Sequence, residues 1–401
     1  MDASAPTTHT FDVVIAGGAM AGATLALAIE RLTGAGLSVA VVEAAIPDHS
    51  HPGYDARSIA LSYGSCQLLE QIGIWPVLAP FATPITTIHV SDRGHFGLTE
   101  MHASKEGVPF LGNVIELADA GRVFHKALGD AQNITLFCPA FVSEIERDTD
   151  KVTLTLNDGQ TLTTRLVVAA DGALSSCCDK VGIDRHEHDF EQIALIANVT
   201  TELAHQGRAF ERFTETGPVA LLPMSEGRSS LVWCVKPHEA PALLAMSDDE
   251  FAQALQRAFG WRLGRLLHVG QRGNYPLVLR QATRLISHRF AVVGNAAQTL
   301  HPIAGQGFNL GLRDVVTLAE EIANAHLNQK DCGEMPVLQS YLARREPDRD
   351  ATVAMTSGLV HGFSNTAAPL ILGRNLGLAA MSVCSELKAP LLKRAMGLVE
   401  R

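Results

Sequence analysis

The feature that most constrains the fold lies near the start of the chain, where two apolar runs flank a glycine-rich turn. Phe11–Ala16 predicts a buried strand, and Leu37–Glu43 predicts a second strand that ends in an acid. Between them the run Ala23–Leu32 predicts a helix, directly after the turn formed by Gly17, Gly18, Ala19, Met20, Ala21 and Gly22. Strand, glycine turn, helix and strand make a βαβ unit, so we expect an α/β fold that binds a nucleotide.

Each part of this unit has a role in dinucleotide binding. We expect the pyrophosphate at the helix N-terminus, where backbone N–H groups and the helix dipole favour negative charge. Glu43 stands where an acid binds a ribose hydroxyl. Ala19 departs from the Gly-x-Gly-x-x-Gly pattern, because it replaces the middle glycine that lets the backbone approach phosphate.

A second glycine-rich turn lies far along the chain. The run Phe290–Gly294 predicts a buried strand, and a proline-glycine loop follows at residues 301–307. From Leu312 onward the apolar residues recur with a helical period, so we expect a helix there. Gly305 and Gly307 would let the main chain lie flat against a planar ring, since a Cβ would hold such a ligand away.

The residues of this loop also carry a resemblance. The stretch 301–314, His-Pro-Ile-Ala-Gly-Gln-Gly-Phe-Asn-Leu-Gly-Leu-Arg-Asp, resembles the signature of the FAD-dependent aromatic hydroxylases of ubiquinone biosynthesis, within the wider family of single-component FAD monooxygenases. The similarity covers nearly the whole chain and includes residues 18–24, 90–95, 207–213, 259–264 and 293–302. Because several of these segments lie outside the nucleotide-binding unit, the resemblance points to the branch that hydroxylates 2-polyprenyl-6-methoxyphenol.

The resemblance implies further cofactor contacts. Asp171, in Asp-Gly-x-x-Ser after an apolar strand, matches the family's second marker, although Cys178 stands where an arginine is usual. Arg57 is expected over the flavin side, with a surface arginine at a capped helix start as the alternative. Arg122, at the beginning of a predicted helix, either meets the cofactor or is a solvated charge. The remaining FAD-binding residues implied are Gly294, Asn295, Pro302, Gly305, Gln306, Gly307 and Asn309, in addition to the first turn and Glu43.

The same resemblance implies the chemistry. NAD(P)H reduces FAD, O₂ adds to give a flavin C4a-hydroperoxide, and the distal oxygen is transferred to an electron-rich ring. No side chain is assigned a catalytic role and no metal is expected. His301, directly before Pro302, is expected to shape the loop or to lie over the flavin edge rather than to act as a base. Asn295 and Gln298 replace the aspartate and histidine of the wider family, and asparagine there is familiar in the ubiquinone branch.

The predicted architecture resembles that of p-hydroxybenzoate hydroxylase. Residues 1–80, 112–183 and 276–330 are assigned to the FAD-binding domain, 81–111 and 184–275 to a substrate domain, and 331–401 to a C-terminal helical region. Successive short strands joined by tight turns predict that the substrate domain is an antiparallel sheet, which forms a wall over the flavin. The candidates for its apolar lining are Phe210, Phe213, Leu222, Met224 and Trp233.

The C-terminal region is apolar and basic. Residues 358–401 contain five Lys or Arg and two acids, a net charge of +3, whereas the whole chain carries −10. The last helix, expected to open at Pro390, places Leu391 and Leu392 broadly opposite Lys393 and Arg394. Such a helix either lies on an anionic membrane face or caps its own protein's core or a partner subunit.

Composition narrows the remaining classes. The net charge of −10 gives no support for nucleic-acid binding. Seven cysteines show no metal-ligand spacing, and their odd number without a secretory leader suggests reduced thiols in the cytoplasm. Cys177 and Cys178 are either a redox pair or, by preference, small residues inside an element. We expect a cytoplasmic protein, with peripheral contact at the inner face of the cell membrane left open.

Two other functions stay open beside the methoxyphenol hydroxylase. One is a sister enzyme that hydroxylates another position of the same ring. The other is a weakly active flavin-binding subunit of a ubiquinone-biosynthesis assembly, which the departures at Ala19 and Cys178 would fit. The expected partners are a prenylated phenol and O₂, and both membership of such an assembly and homo-oligomer formation are open.

Overall fold

The computed structural model describes residues 8–46, 57–363 and 368–399, so Glu400 and Arg401 of the basic C-terminal region lie outside it. The helices are α1 Met20–Thr33, α2 Tyr63–Gln71, α3 Trp75–Leu78, α4 Leu117–Asp130, α5 Ser176–Lys180, α6 Ala240–Ala245, α7 Asp248–Phe259, α8 Gln306–Leu327, α9 Met335–Phe363, α10 Ala368–Val383 and α11 Ser385–Ala395.

The strands belong to three sheets. Those of the first sheet are β1 Thr8–Ala16, β2 Val39–Val42, β8 Ile134–Phe137, β9 Val142–Arg147, β10 Val152–Leu156, β11 Thr161–Ala169, β18 Ile286–Ser287 and β19 Phe290–Val292. Those of the second are β5 Thr87–Asp92, β6 Leu98–His102, β12 Arg185–Thr201, β13 Arg208–Thr214, β14 Gly217–Pro223, β15 Arg228–Val235, β16 Leu266–Val269, β17 Gly273–Ala282 and β20 Gln298–Thr299. The third contains β3 Ser58–Ser62, β4 Thr83–Ile85 and β7 Gly112–Glu116.

The first sheet is the scaffold of the nucleotide-binding unit. Its central order is β19-β11-β1-β2-β8, and these strands are parallel. The hairpin β9–β10 adds to β11 in antiparallel fashion, and β10 is connected to β11 through Asn157-Asp158-Gly159, a typical hairpin turn sequence. The apolar faces of α1 and α8 pack on this sheet, and the core that they form is the largest in the described chain. The α/β fold is therefore confirmed.

The second sheet is the predicted antiparallel wall. Its order is β20-β17-β12-β15-β14-β13-β5-β6, and its pairs are antiparallel except for β13 with β5. Strand β17 runs on to Ala282, so the sheet continues past the boundary placed at residue 275. Strands β17 and β20 carry the chain from the wall back to the glycine loop at residues 301–307.

Three local expectations differ from the structure. Residues Ser58–Ser62 pair with β7 as a strand, so Arg57 does not stand at a helix start, and α2 begins at Tyr63. Helix α4 begins at Leu117, which places Arg122 in its second turn. Helix α11 begins at Ser385 and contains Pro390, so the proline does not open it.

Tertiary packing explains how the last helix continues through its proline. Proline removes one helical hydrogen bond and normally disfavours a helix interior. Here Leu392 and Met396 are buried against Ala103 and Leu111. This contact fixes the helix on the substrate domain, and it involves residues nearly 300 positions apart, which no local pattern reveals.

Candidate active site

The first glycine turn is sterically determined by its neighbours. Gly17 has a φ of +99°, and a Cβ there would lie 2.3 Å from the carbonyl oxygen of Ala170. A Cβ on Gly22 would lie 1.8 Å from the carbonyl oxygen of Gly17. Ala19 has a φ of −68° and precedes α1, so its methyl group causes no backbone strain. Glycine is thus required at residues 17 and 22, where two backbone segments are in close contact, and alanine is tolerated at residue 19, the N-cap of α1.

Glu43 closes this turn. Its carboxylate accepts hydrogen bonds from the backbone N–H of Gly18, at 2.6 Å, and of Ala45, at 2.8 Å. The acid therefore holds the turn and the end of β2 together. It also lines the cleft beside the turn, where a ribose hydroxyl would meet its oxygens.

The structure brings three distant motifs to one cleft of about 500 Å³. One wall is the first turn, another is Asp171-Gly172 after β11, and a third is Gly294-Asn295 with Gly307 at the start of α8. Of the predicted residues, those lining this cleft are Gly17, Ala19, Met20, Ala21, Glu43, Asp171, Gly294, Asn295 and Gly307. Gly22 lies behind the turn, at its contact with Gly17.

Asp171 provides a test of whether the cleft fits a dinucleotide. Its Oδ2 accepts a hydrogen bond from the backbone N–H of Cys177 at 3.0 Å. Its Oδ1 is buried and has no hydrogen-bond partner in the described protein. A buried carboxyl oxygen in this position calls for a donor from a ligand, since an unpaired buried acceptor is costly. Hydroxyl groups such as those of a ribityl chain meet that requirement, and the cleft therefore fits FAD.

The cleft continues into a wider groove of about 830 Å³ on the far side of the first turn. Gly18, Ala19, Met20 and Glu43 line it together with Arg57 and Arg122, the two predicted arginines. Arg122 is exposed and forms an ion pair with Asp119 of its own helix. The groove also contains a partly buried ion pair that the sequence did not suggest, in which Arg228 Nη2 contacts Glu116 Oε1 at 2.6 Å.

The second glycine loop separates this cleft from a different cavity. Gly305 has a φ of +60° and caps α8, and it faces an apolar cavity together with Pro302. Gly307, two residues on, faces the cleft, and a Cβ there would meet no heavy atom within 4 Å. Strand β3 divides the two spaces in the same way, because Ile59 lines the cleft and Ala60 the cavity.

Two predicted cofactor residues anchor the loop from behind. Asn309 accepts a hydrogen bond from Ser62 N at 2.8 Å and donates to the carbonyls of Ala60, at 2.8 Å, and Gly305, at 2.6 Å. Gln306 donates to the carbonyl of Ala395 in α11 at 3.2 Å. The structure thus places their side chains in contact with β3 and α11 rather than among the residues that line the cleft.

The apolar cavity has a volume of about 200 Å³. An apolar cavity of about 150 Å³ is known to hold benzene, so this one has room for an aromatic ring. Its floor is the wall sheet, including Phe210, Phe213 and Leu222 as predicted. Met224 and Trp233 are not part of it. Met224 packs on Val114, and Trp233 contacts Phe251 of α7 on the other face of the sheet, at 5.7 Å between ring centroids.

The C-terminal helices form the roof of this cavity. Leu378 and Met381 of α10 and Leu391 and Ala395 of α11 line it. The roof is fastened at Asp92, whose carboxylate contacts Arg374 Nε at 2.9 Å. In the described residues, the buried face of α11 therefore covers the protein's own core, which is one of the two alternatives given above for the last helix.

His301 is a structural residue of the loop. It is 1% exposed, and burial lowers its pKa to about 4. Its Nδ1 accepts a hydrogen bond from Ile303 N at 3.3 Å, so its Nε2 carries the proton and donates to Gln192 Oε1 at 2.9 Å. A neutral, doubly hydrogen-bonded imidazole does not act as a base. It ties the glycine loop to β12.

The cysteines of the described chain are free thiols. Cys177 and Cys178 are buried in or beside α5, and burial raises the pKa of each thiol. A buried thiol with a raised pKa is inert. These two residues are therefore small side chains inside an element, as preferred from the sequence.

Sequence reasoning missed two polar residues in the cavity, Thr99 of β6 and Glu211 of β13. A signal was present for Glu211, because alternation along β13 places it on the same face as Phe213, a predicted lining residue. Lys388 of α11 also lines the cavity and is 8% exposed. Nothing local marks Lys388, since its position depends on how α11 docks.

Comparison with known proteins agrees with this geometry. Residues 10–356 match the FAD binding domain family. The ubiquinone hydroxylase UbiL of Rhodospirillum rubrum is 40% identical over 387 residues, which are 96% of this chain and 89% of that protein. The 3-demethoxyubiquinol 3-hydroxylase of Escherichia coli is 32% identical, with coverage of 98% of this chain and all of the other.

Solved structures share the fold. The p-nitrophenol 4-monooxygenase PnpA of Pseudomonas putida has a TM-score of 0.79 at 19% identity, covering 97% of this chain and 99% of its own. PqsL of Pseudomonas aeruginosa has a TM-score of 0.76 at 22% identity, covering 92% and 99%. At these identities the likeness speaks for the fold alone.

Proposed function

Because this chain belongs to the FAD-binding domain family and is an FAD-dependent aromatic-ring monooxygenase, we propose that it hydroxylates the ring of a polyprenylated methoxyphenol in ubiquinone biosynthesis. NAD(P)H is the co-substrate typical of the family. The ubiquinone pathway is supported by the names of its relatives, among them the human ubiquinone biosynthesis monooxygenase COQ6, 28% identical with coverage of 96% of this chain and 92% of that protein.

One observation carries the proposal. The short loop between Pro302 and Gly307 has the apolar cavity on one side and the dinucleotide cleft on the other. A ring bound in the cavity is thereby next to a cofactor bound in the cleft. The cavity is apolar on nearly every side, which suits a substrate that carries a hydrocarbon chain.

When bound, FAD supplies the activated oxygen that no side chain can provide. We propose that the flavin would carry this oxygen as a C4a-hydroperoxide. The chain would hold the cofactor through the first turn, Glu43 and Asp171. The positive N-terminal end of α8 lies beside the loop, where it would favour negative charge on a bound flavin. The roof of α10 and α11 excludes water from the cavity, as the oxidation requires.

The test uses the purified holoenzyme. With 2-polyprenyl-6-methoxyphenol and ¹⁸O₂ we expect faster NAD(P)H oxidation and a product that contains one ¹⁸O atom. A colourless protein that ignores the phenol would instead favour the flavin-binding-subunit alternative. The position of the new hydroxyl, read by NMR of the product, separates the proposed reaction from that of a sister enzyme acting elsewhere on the ring.

Deletion of the gene gives an independent readout in the cell. Accumulation of 2-polyprenyl-6-methoxyphenol, identified by mass spectrometry, supports the proposed step. Accumulation of any other quinone precursor reassigns the enzyme to another position. The same deletion strain can be complemented with variants of the gene. The activity of each variant in the cell can then be compared with the activity of the purified variant enzyme.

We also propose that an anionic membrane surface binds the outer face of α10 and α11. Large apolar side chains are exposed there, namely Leu370 at 47%, Leu372 at 56%, Leu376 at 54%, Val383 at 90% and Leu387 at 58%. The inner faces of the same helices cover the cavity, so a prenylated substrate would enter from the lipid. Lys393 of α11 is exposed, and its positive charge favours anionic lipid.

The described helices include none that crosses a bilayer by itself; Pro369–Val383 and Glu386–Ala395 meet the length and composition requirement only as a pair bent by 96°. Co-sedimentation with phosphatidylglycerol vesicles tests surface binding. We expect Leu372→Glu with Val383→Glu to abolish it, whereas Leu267→Glu, at a residue 61% exposed in β16, should leave it intact. Equal sedimentation of both variants would exclude this surface.

A further inference from the structure

The floor of the apolar cavity contains one row of side chains with two polar members. Strand pairing places Thr99 opposite Val90, Val90 opposite Glu211, Glu211 opposite Ala220, and Ala220 opposite Val232. All five side chains line the cavity. The neighbouring row, Met101, Ile88 and Ala209, is wholly apolar. Polar groups are thus confined to one line across the floor.

Thr99 has an unused hydrogen-bonding group. The residue is 4% exposed, and its Oγ1 is buried without a hydrogen-bond partner in the described protein. A threonine hydroxyl can usually rotate to find a partner, so an unpaired one on a residue that lines a cavity is uncommon. Valine has the same shape and would pack there without this cost. The hydroxyl is therefore suited to a ligand that carries an oxygen.

Glu211 adds a carboxyl group, a hydrogen-bond acceptor, in the same cross-strand row as Thr99. Two strand spacings, about 10 Å in all, separate its backbone from that of Thr99. A ring lying over Val90 is therefore within reach of both side chains. The cavity wall also contains the buried Lys388, whose Nζ donates to the carbonyl of Glu100 at 3.2 Å. The Lys388 side chain therefore adds a third polar group, outside this row, to the lining of the cavity.

We propose that Thr99 and Glu211 orient the aromatic ring of the substrate by binding its oxygen atoms. Glu211 accepts a hydrogen bond from the phenol O–H, and Thr99 donates one to a second ring oxygen. A carboxylate acceptor strengthens that hydrogen bond and leaves more electron density on the ring, which favours attack by an electrophilic oxygen. The inference rests on the proposed function, since it assumes a phenolic substrate.

The experiment measures binding to the holoenzyme by the change in flavin absorbance. Two probes are used, 2-methoxy-6-prenylphenol and prenylbenzene, which has the same chain but no oxygen. For Thr99→Val and Glu211→Gln we expect the Kd of the phenol to rise roughly tenfold to a hundredfold, as for lost hydrogen bonds of these types. The Kd of prenylbenzene should stay unchanged in both variants.

The matched control is Thr317→Val in α8. Thr317 is also fully buried with an unpartnered Oγ1, but it lies outside the cavity lining. This variant should bind both probes as the wild type does. Hydroxylation assays add a second readout, because a misoriented ring should lower the yield of product per NAD(P)H consumed.

The outcomes separate the two proposals. If Thr99→Val and Glu211→Gln bind the phenol as tightly as wild type, or weaken both probes equally, the orienting role is excluded while the proposed function stands. If the wild-type holoenzyme neither binds nor hydroxylates the phenol, the proposed function itself fails. A loss of affinity for 2-methoxy-6-prenylphenol, with unchanged affinity for prenylbenzene, supports the orienting role of Thr99 and Glu211.

Discussion

The Nε of Arg345 on α9 contacts the Oδ1 of Asp314 on α8 at 2.7 Å, and both side chains are fully buried. Asp314 ends the glycine-loop signature, yet it points away from the cleft. Its other oxygen accepts a hydrogen bond from Gln298 at 2.8 Å. Arg345 also contacts Asp348, which in turn meets Arg313 and, from α11, Arg394. This network of ion pairs joins α8, the helix that follows the glycine loop, to α9 and α11.

Arg345→Met is expected to destabilise the fold by about 3–5 kcal/mol, because it leaves Asp314 as a buried charge without its cation. Burial alone lowers the pKa of Arg345, but the charges of Asp314 and Asp348 raise it above its usual value. Urea unfolding measures the effect. The control is Arg344→Met, since Arg344 is part-exposed in its pairs with Glu320 and Glu321 and should contribute only about 0–1 kcal/mol. Equal losses in the two variants would contradict this account.

His301 should make stability depend on pH. Its native pKa is about 4, against an ordinary value of 6.5, because burial disfavours the imidazolium. Above pH 6.5 both states are neutral, and the native state keeps its full stability. As the pH falls from 6.5 to about 4 the unfolded chain binds a proton that the native chain does not, so stability drops by about 3 kcal/mol.

Urea unfolding at pH 7 and at about pH 4.5 tests this expectation with His301→Gln, which should lose less stability than the wild type over that interval. His186→Gln is the matched control, since His186 is exposed on β12 and should leave the wild-type dependence in place. If His301→Gln shows the full wild-type loss, the assignment is wrong.

Asp171→Ala should weaken FAD binding. The variant removes the buried Oδ1 that lacks a protein partner, together with the acceptor for Cys177 N. Loss of a hydrogen bond to a charged group corresponds to roughly a tenfold to hundredfold rise in Kd. Titration of the apoprotein with FAD, followed by flavin fluorescence, gives this number. Asp150→Ala, at an exposed turn of the same domain, should bind FAD normally, and indistinguishable affinities would remove Asp171 from the site.

Gly64→Ala should uncouple NAD(P)H oxidation from hydroxylation. A Cβ on Gly64 would lie 2.5 Å from the carbonyl oxygen of Gly397, so the end of the chain must shift. Gly64 N also donates to Met396 O at 2.8 Å, next to the Ala395 that roofs the cavity. Water then reaches the site, and more hydrogen peroxide is released for each NAD(P)H consumed.

A peroxide assay alongside product analysis measures this ratio. Gly129→Ala in α4 is the control, because a Cβ there meets no heavy atom within 4 Å. Its ratio should equal that of the wild type. Unchanged coupling in Gly64→Ala would show that the contact with Gly397 does not seal the cavity.

Much of the fold follows from local sequence. The βαβ unit and the strand that leads into the glycine loop, predicted at Phe290–Gly294, were predicted with nearly the observed limits. In each case the pattern of apolar residues and the turn chemistry act within a few residues. The loop helix was also expected, although α8 begins at Gln306, before the periodic pattern at Leu312. Gly305 sets that start, because its left-handed conformation caps the helix.

By itself the sequence determined that the chain has a dinucleotide unit, an antiparallel wall and a glycine loop, since these depend on neighbouring residues. Only the tertiary structure decided that Ser58–Ser62 is a strand, that α11 continues through Pro390, and that Thr99 and Glu211 share one row of the cavity floor. The physical reason is that strand pairing, helix docking and burial couple residues tens to hundreds of positions apart. The free energies of these long-range contacts cannot be read from a local sequence pattern. They determine the structure wherever the local pattern favours a different one.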